Sequence, residues 1–165
     1  MRAILTGALL LALAGCAQAE NEPVSNERDE EAIAEVERMS RPPTLAIAPQ
    51  QITFQDIEEG NLFGAGCAAM VPGIEDPVFL AQEKFGWLKL DNQIVRLSSD
   101  RSSDPLPYET WTKYIGQENW VTLERDSARE KQSGTETMRA PGEIVIYDFA
   151  DRVVFRASAT LECGA

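Results

Sequence analysis

The sequence predicts an all-β domain: a single small β-sandwich or barrel of about seven to eight short, mostly antiparallel strands, preceded by a signal peptide and an acidic tether. Three observations carry this. Between residues 44 and 165 the apolar runs are short and rich in β-branched and aromatic side chains, the residues that pleated, half-buried surfaces prefer. Polar turn residues separate these runs at close spacing. Finally, a segment of about 120 residues is the size of one domain with a real core.

The elements follow in chain order. Met1-Arg2 places one positive charge before Ala3 to Leu13, a run with no charge. A basic start, a short apolar stretch and a small-residue cut site read as a signal peptide over residues 1–15. The stretch is too short to span a bilayer core, which needs about 20 apolar residues.

The cut site is written twice. Leu13-Ala14-Gly15-Cys16 directs cleavage before the cysteine, and Ala17-Gln18-Ala19 directs it before Glu20. The first stretch resembles the lipobox of bacterial lipoproteins. That resemblance implies that Cys16 is acylated and becomes the mature N-terminus. It implies an anchor in the outer membrane, facing the periplasm, because Ala17 rather than Asp follows the cysteine. Several acyl chains on one residue make a durable anchor, since each buried methylene contributes about 0.8 kcal/mol.

Residues 16–43 then form the lipidated N-terminus and tether. From Glu20 to Arg41 there are eight acidic and three basic residues. Ile33, Val36 and Met39 recur at helical spacing, which allows a short amphipathic helix. Pro42-Pro43 stops it. The stretch reads as a solvated spacer, with a partner-binding helix as the alternative.

The β domain is expected over residues 44–165. Strand-like runs are read at 52–58, from Val78 to Ala81, around Trp87 to Leu90, from Ile94 to Leu97 and at 119–126. Asp91-Asn92-Gln93 is turn chemistry. Residues 142–163 read as a closing hairpin with its turn near Ala150-Asp151. Two polar loops, 98–107 and 126–136, interrupt the pattern.

Export implies an oxidising compartment, where Cys67 and Cys163, the pair left after Cys16, read as a disulfide. Histidine is absent. That removes Ser-His-Asp and Cys-His catalysis and His-ligated metals. Two domain cysteines also exclude a Cys₄ site. No metal and no cofactor are expected. The formal charge of −12 disfavours nucleic acid, whose phosphates demand Lys and Arg, and favours basic partners.

Four stretches of the sequence carry groups capable of chemistry. Gly64-Ala65-Gly66-Cys67-Ala68-Ala69 spells the letters of a dinucleotide loop, but Pro72-Gly73 denies it the required helix. Those glycines read instead as a bulge or close backbone approach. The oxygens of Asp91-Asn92 and of residues 98–104 lack EF-hand spacing. Paired carboxylates for glycoside cleavage are not marked by any apolar setting. Tyr108, Trp111, Tyr114 and Trp120 form a candidate aromatic docking patch. The first three share one side of a helix if the run is helical.

The functional expectation is a lipid-anchored, periplasm-facing accessory or binding protein that is not an enzyme. Its partners are the membrane, through Cys16, and an unknown protein of basic character. A small acidic lipoprotein with a disulfide-bonded β domain also resembles the membrane-bound lysozyme inhibitors, which implies a basic, envelope-attacking enzyme as target. That family carries a Ser-Gly-x-x-Tyr loop. The nearest stretch here, Ser103 to Tyr108, has no glycine and a different spacing. A carboxylate-dependent envelope glycan hydrolase is the third reading.

Overall fold

The computed structural model describes residues 26–40 and 43–165. Cys16, the signal segment and both cut sites lie outside the described residues. The chain divides into two units at Pro43/Thr44. In the first, α1 (Asn26–Ser40) is a helix on which Ile33, Val36 and Met39 are all exposed. Arg38 pairs with Glu35 one turn back on the same helix.

The second unit is a closed β-barrel. Its staves are β1 (Gly66–Met70), β2 (Phe79–Ala81), β3 (Phe85–Leu90), β4 (Gln93–Ser99), β7 (Lys113–Ile115), β8 (Asn119–Arg125), β10 (Met138–Asp148) and β11 (Val153–Gly164). Each stave pairs antiparallel with the next in chain order, and β11 returns to pair with β1. This is an up-and-down closure, which removes free sheet edges along the staves. The long polar loops carry the remaining strands. A hairpin of β5 (Pro105–Leu106) and β6 (Thr110–Trp111) lies within the β4–β7 connection. Strand β9 (Lys131–Gln132) adds to β10 after a 3-10 turn at Ser127–Arg129.

The turns show why the register holds. Asp91 and Asn92 both adopt positive φ, 48° and 61°, as a two-residue hairpin of matching twist requires. The β10–β11 turn is a three-residue loop ending in Asp151 at φ 59°. Asp148 organises it: one carboxylate oxygen accepts from the amides of Ala150 and Arg152, and the other from the Arg152 side chain. These donors, the Arg152 side chain foremost, lower the Asp148 pKa.

Inside the barrel, Phe79, Leu88, Leu97, Tyr114, Val121, Leu123, Ile144, Ile146 and Leu161 are all buried. The rings of Phe79 and Tyr114 meet edge to face with centroids 5.4 Å apart. Gly86 makes room for them: a Cβ there would stand 2.4 Å from the tip of Phe79 and 2.9 Å from the Tyr114 ring. Cys67 and Cys163 are bonded with sulfurs 2.06 Å apart, and they face each other in the β1–β11 register. The disulfide therefore fastens the seam where the first stave meets the last.

One segment departs from the sequence reading. Residues 52–58 read as a strand, yet Phe54–Gly60 forms helix α2. The cause is a capping box. The Thr53 hydroxyl accepts from the Asp56 amide, while Asp56 accepts from the Thr53 amide, at 2.7 Å. Asp56 also takes the Lys89 ammonium of β3, 2.7 Å away, which straps the helix to the barrel wall.

Candidate functional site

The aromatic run does not build one surface. Thr110–Trp111 and Lys113–Ile115 are strands, so helical spacing does not apply, and alternation sends neighbouring side chains to opposite faces. Tyr114 is fully buried in the barrel. Its hydroxyl donates to the Gln82 carbonyl at 2.9 Å and accepts from the Trp111 amide. Burial pushes its pKa up to about 12. Tyr108 and Trp111 pack, half-buried, against the core. Tyr108 also donates to the Glu136 carbonyl. Trp120 alone stands on the outer wall, stacked on Tyr147. As a docking patch the four residues are thus split between core, hairpin and exterior.

A shallow, open concavity lies elsewhere, on the outer face of β1 and β2 beneath α2. It is a groove of about 390 Å³. Phe54, Ile57, Leu62 and Phe63 wall it, and Ala68 and Leu80, cross-strand partners, line the barrel side. Phe54 and Phe63 meet edge to face, 6.3 Å between centroids, yet remain 64% and 58% exposed. Two large aromatic faces left in water beside a concave apolar surface are characteristic of a binding site.

Small residues open this groove. Gly66 lies so close to β2 that a Cβ would fall 2.1 Å from the Ala81 carbonyl oxygen. This is the close backbone approach expected for the glycine-rich stretch, which runs into a strand and not a helix. Ala68 keeps the barrel wall low. Of the groove lining, the sequence marks the glycine-rich stretch with Cys67, as a backbone feature and half of a disulfide, and places Phe54 and Ile57 in a strand. The available signal was the capping box Thr53-x-x-Asp56, which turns 54–60 into a helix and raises the wall.

The polar groups of the groove are few and engaged. The Gln82 amide nitrogen donates to the Leu62 carbonyl at 2.8 Å, and its oxygen accepts from the Trp87 indole at 3.0 Å. Glu162 pairs with Arg139 at 2.9 Å. Thr137 completes the rim. Asp56, Asp100, Asp126 and Asp148 all have lowered pKa values, each with a hydrogen-bonding partner as the first cause. In the 98–104 loop, Asp100 folds back on Ser102, accepting from its amide and hydroxyl. Among the described residues, no group of three or more His, Cys, Asp or Glu is placed to hold a metal ion.

Compared with protein-family models, with curated proteins and with solved structures, the chain matches none.

Proposed function

We propose that the protein is a lipid-anchored, periplasm-facing binding protein, and that the groove beneath α2 receives an apolar group from its ligand. The observation that carries this is the exposure of Phe54 and Phe63 beside the Ala68–Leu80 wall. The chemistry suits binding and not turnover. Among the described residues the groove shows no nucleophile with an adjacent base, and its side-chain carboxylate, Glu162, is held by a guanidinium. The lipobox at Cys16 supplies the address, and the acidic segment up to Pro43 supplies reach.

Two experiments separate ligand from address. Mature protein titrated with the apolar probe N-phenylnaphthylamine is expected to bind it saturably. Ala68→Phe fills the groove from its barrel side and is expected to abolish that binding with the melting temperature kept. Equal binding by the filled variant rejects the groove. Mass spectrometry of the membrane fraction is expected to find an acylated Cys16. A mature chain that begins at Glu20 rejects the anchor.

A further inference from the structure

A second apolar surface stands on other staves. Three registers align it: Ile115 faces Trp120, Trp120 faces Tyr147, and Tyr147 faces Val153. The result is one continuous row across β7, β8, β10 and β11. Ile115 and Val153 are 46% and 42% exposed. Phe149, at the tip of the turn that joins Tyr147 to Val153, is 74% exposed. The row is built firmly. Trp120 and Tyr147 stack in parallel with centroids 3.7 Å apart, and the Trp120 indole donates to Asp151 at 3.1 Å.

The geometry limits what can dock there. Tyr147 fills one face of the Trp120 ring. The Lys113 ammonium sits 4.5 Å from the ring centre, and so must occupy the other face. No sugar ring can stack on Trp120. Beside the covered Trp120 ring stand the exposed aliphatic side chains of Ile115 and Val153 and the Phe149 ring, which suit protein side chains.

Charge then selects the partner. In an up-and-down barrel, alternate turns share one end, so the β1–β2, β3–β4, β7–β8 and β10–β11 connections lie together. They carry Glu75, Asp76, Asp91, Glu118 and Asp151. Their only cation is Arg152, which is engaged by Asp148. A second copy of this acidic chain, or an anionic surface, is repelled by that end. A cationic polypeptide is attracted.

We infer that this end of the barrel docks a basic polypeptide segment, whose apolar anchor seats on the Ile115–Trp120–Tyr147–Val153 row beside Phe149. The surface is separate from the groove, so either reading can fail alone.

The test uses mature protein and a defined probe, an amphipathic peptide of lysine and leucine, read by calorimetry. Saturable binding is expected, weakening with salt. Phe149→Ser is expected to weaken it at least tenfold, and Glu118→Gln with Asp151→Asn to weaken it severalfold. Glu58→Gln with Glu59→Gln, on α2, is expected to leave it unchanged. Both Phe149 and the substituted acids are exposed, so melting temperature serves as the folding control. Equal binding by Phe149→Ser, or by a peptide with glutamate in place of lysine, overturns the inference. So does Phe149-dependent self-association or binding to phosphatidylcholine vesicles in place of the peptide. Ala68→Phe, which closes the groove, is expected to bind the peptide normally.

Discussion

Cys67 and Cys163 stand opposite each other on β1 and β11, so one covalent bond spans the line along which the barrel closes. Their separation of 96 residues is long. In the chain-entropy account, a cross-link of that span contributes about 4 to 5 kcal/mol. The double variant Cys67→Ala/Cys163→Ala is expected to lose stability of that order in a urea titration. A loss under about 1 kcal/mol would show that the seam holds without the bond.

Gly86 is the place where the core has no slack. Gly86→Ala pushes a methyl into the Phe79–Tyr114 pair, where the nearest atoms would lie at 2.4 and 2.9 Å. Overpacking of this kind costs about 1 to 3 kcal/mol. Thermal unfolding checks it, and an unchanged midpoint refutes the tight fit. Phe79→Leu in the Gly86→Ala background is expected to recover part of the loss.

The cap of α2 links stability to the groove. Thr53→Ala removes the hydroxyl that receives the Asp56 amide, and loss of a cap costs about 1 kcal/mol. Because α2 carries Phe54 and Ile57, probe binding is expected to weaken along with the cap. A variant that loses stability but keeps full affinity would detach the helix from the site.

Two pH limits follow from the buried and bonded groups. Asp56 and Asp148 have native pKa values below the ordinary 3.8, owing first to Lys89 and to Arg152 respectively. Their contribution is complete above that ordinary value. It drains as pH falls through the lowered native one. Asp148→Asn is expected to flatten the acid branch of the stability curve, and an unaltered branch contradicts the assignment.

Tyr114 sets the alkaline side. Its native pKa of about 12 exceeds the ordinary value of 10.0, because burial disfavours the phenolate. Its stabilisation is full below 10.0 and is lost as pH rises towards 12. Two pKa units correspond to roughly 2 to 3 kcal/mol. Absorbance titration is expected to show a late tyrosine that Tyr114→Phe removes. Three tyrosines that all titrate near 10 would contradict it.

Most of the barrel was legible because its long staves carry alternating β-formers and its hairpins carry explicit turn residues. Asp91-Asn92 and the turn at Ala150-Asp151 fall where the pattern places them. The cysteines were legible because only two remain after Cys16. What was not legible is local competition and closure. Residues 52–58 contain Ile52, Phe54 and Ile57, a spacing that serves strand or helix alike, and the Thr53–Asp56 cap decides for helix. Trp111 and Tyr114 carry no mark in the sequence of which faces inward. The two-residue pieces β5, β6 and β9 are too short for any periodicity to show. The exposed row is harder still to read, since Ile115, Trp120, Tyr147 and Val153 become neighbours only through three separate registers.

The seam between β1 and β11 also orders events in time. Every other stave can pair with a partner that left the synthesis machinery shortly before it. β1 is different: one of its two partners is the last strand of the barrel, so its outer ladder stays open while almost the whole domain is being delivered. Contacts of such long sequence separation slow folding. An unfilled strand edge over that interval is a template for wrong pairing. A chain halted before Thr160 therefore has a sheet but no ring, and the bond at Cys163 acts as a latch that can engage only once nearly all of the barrel has been delivered.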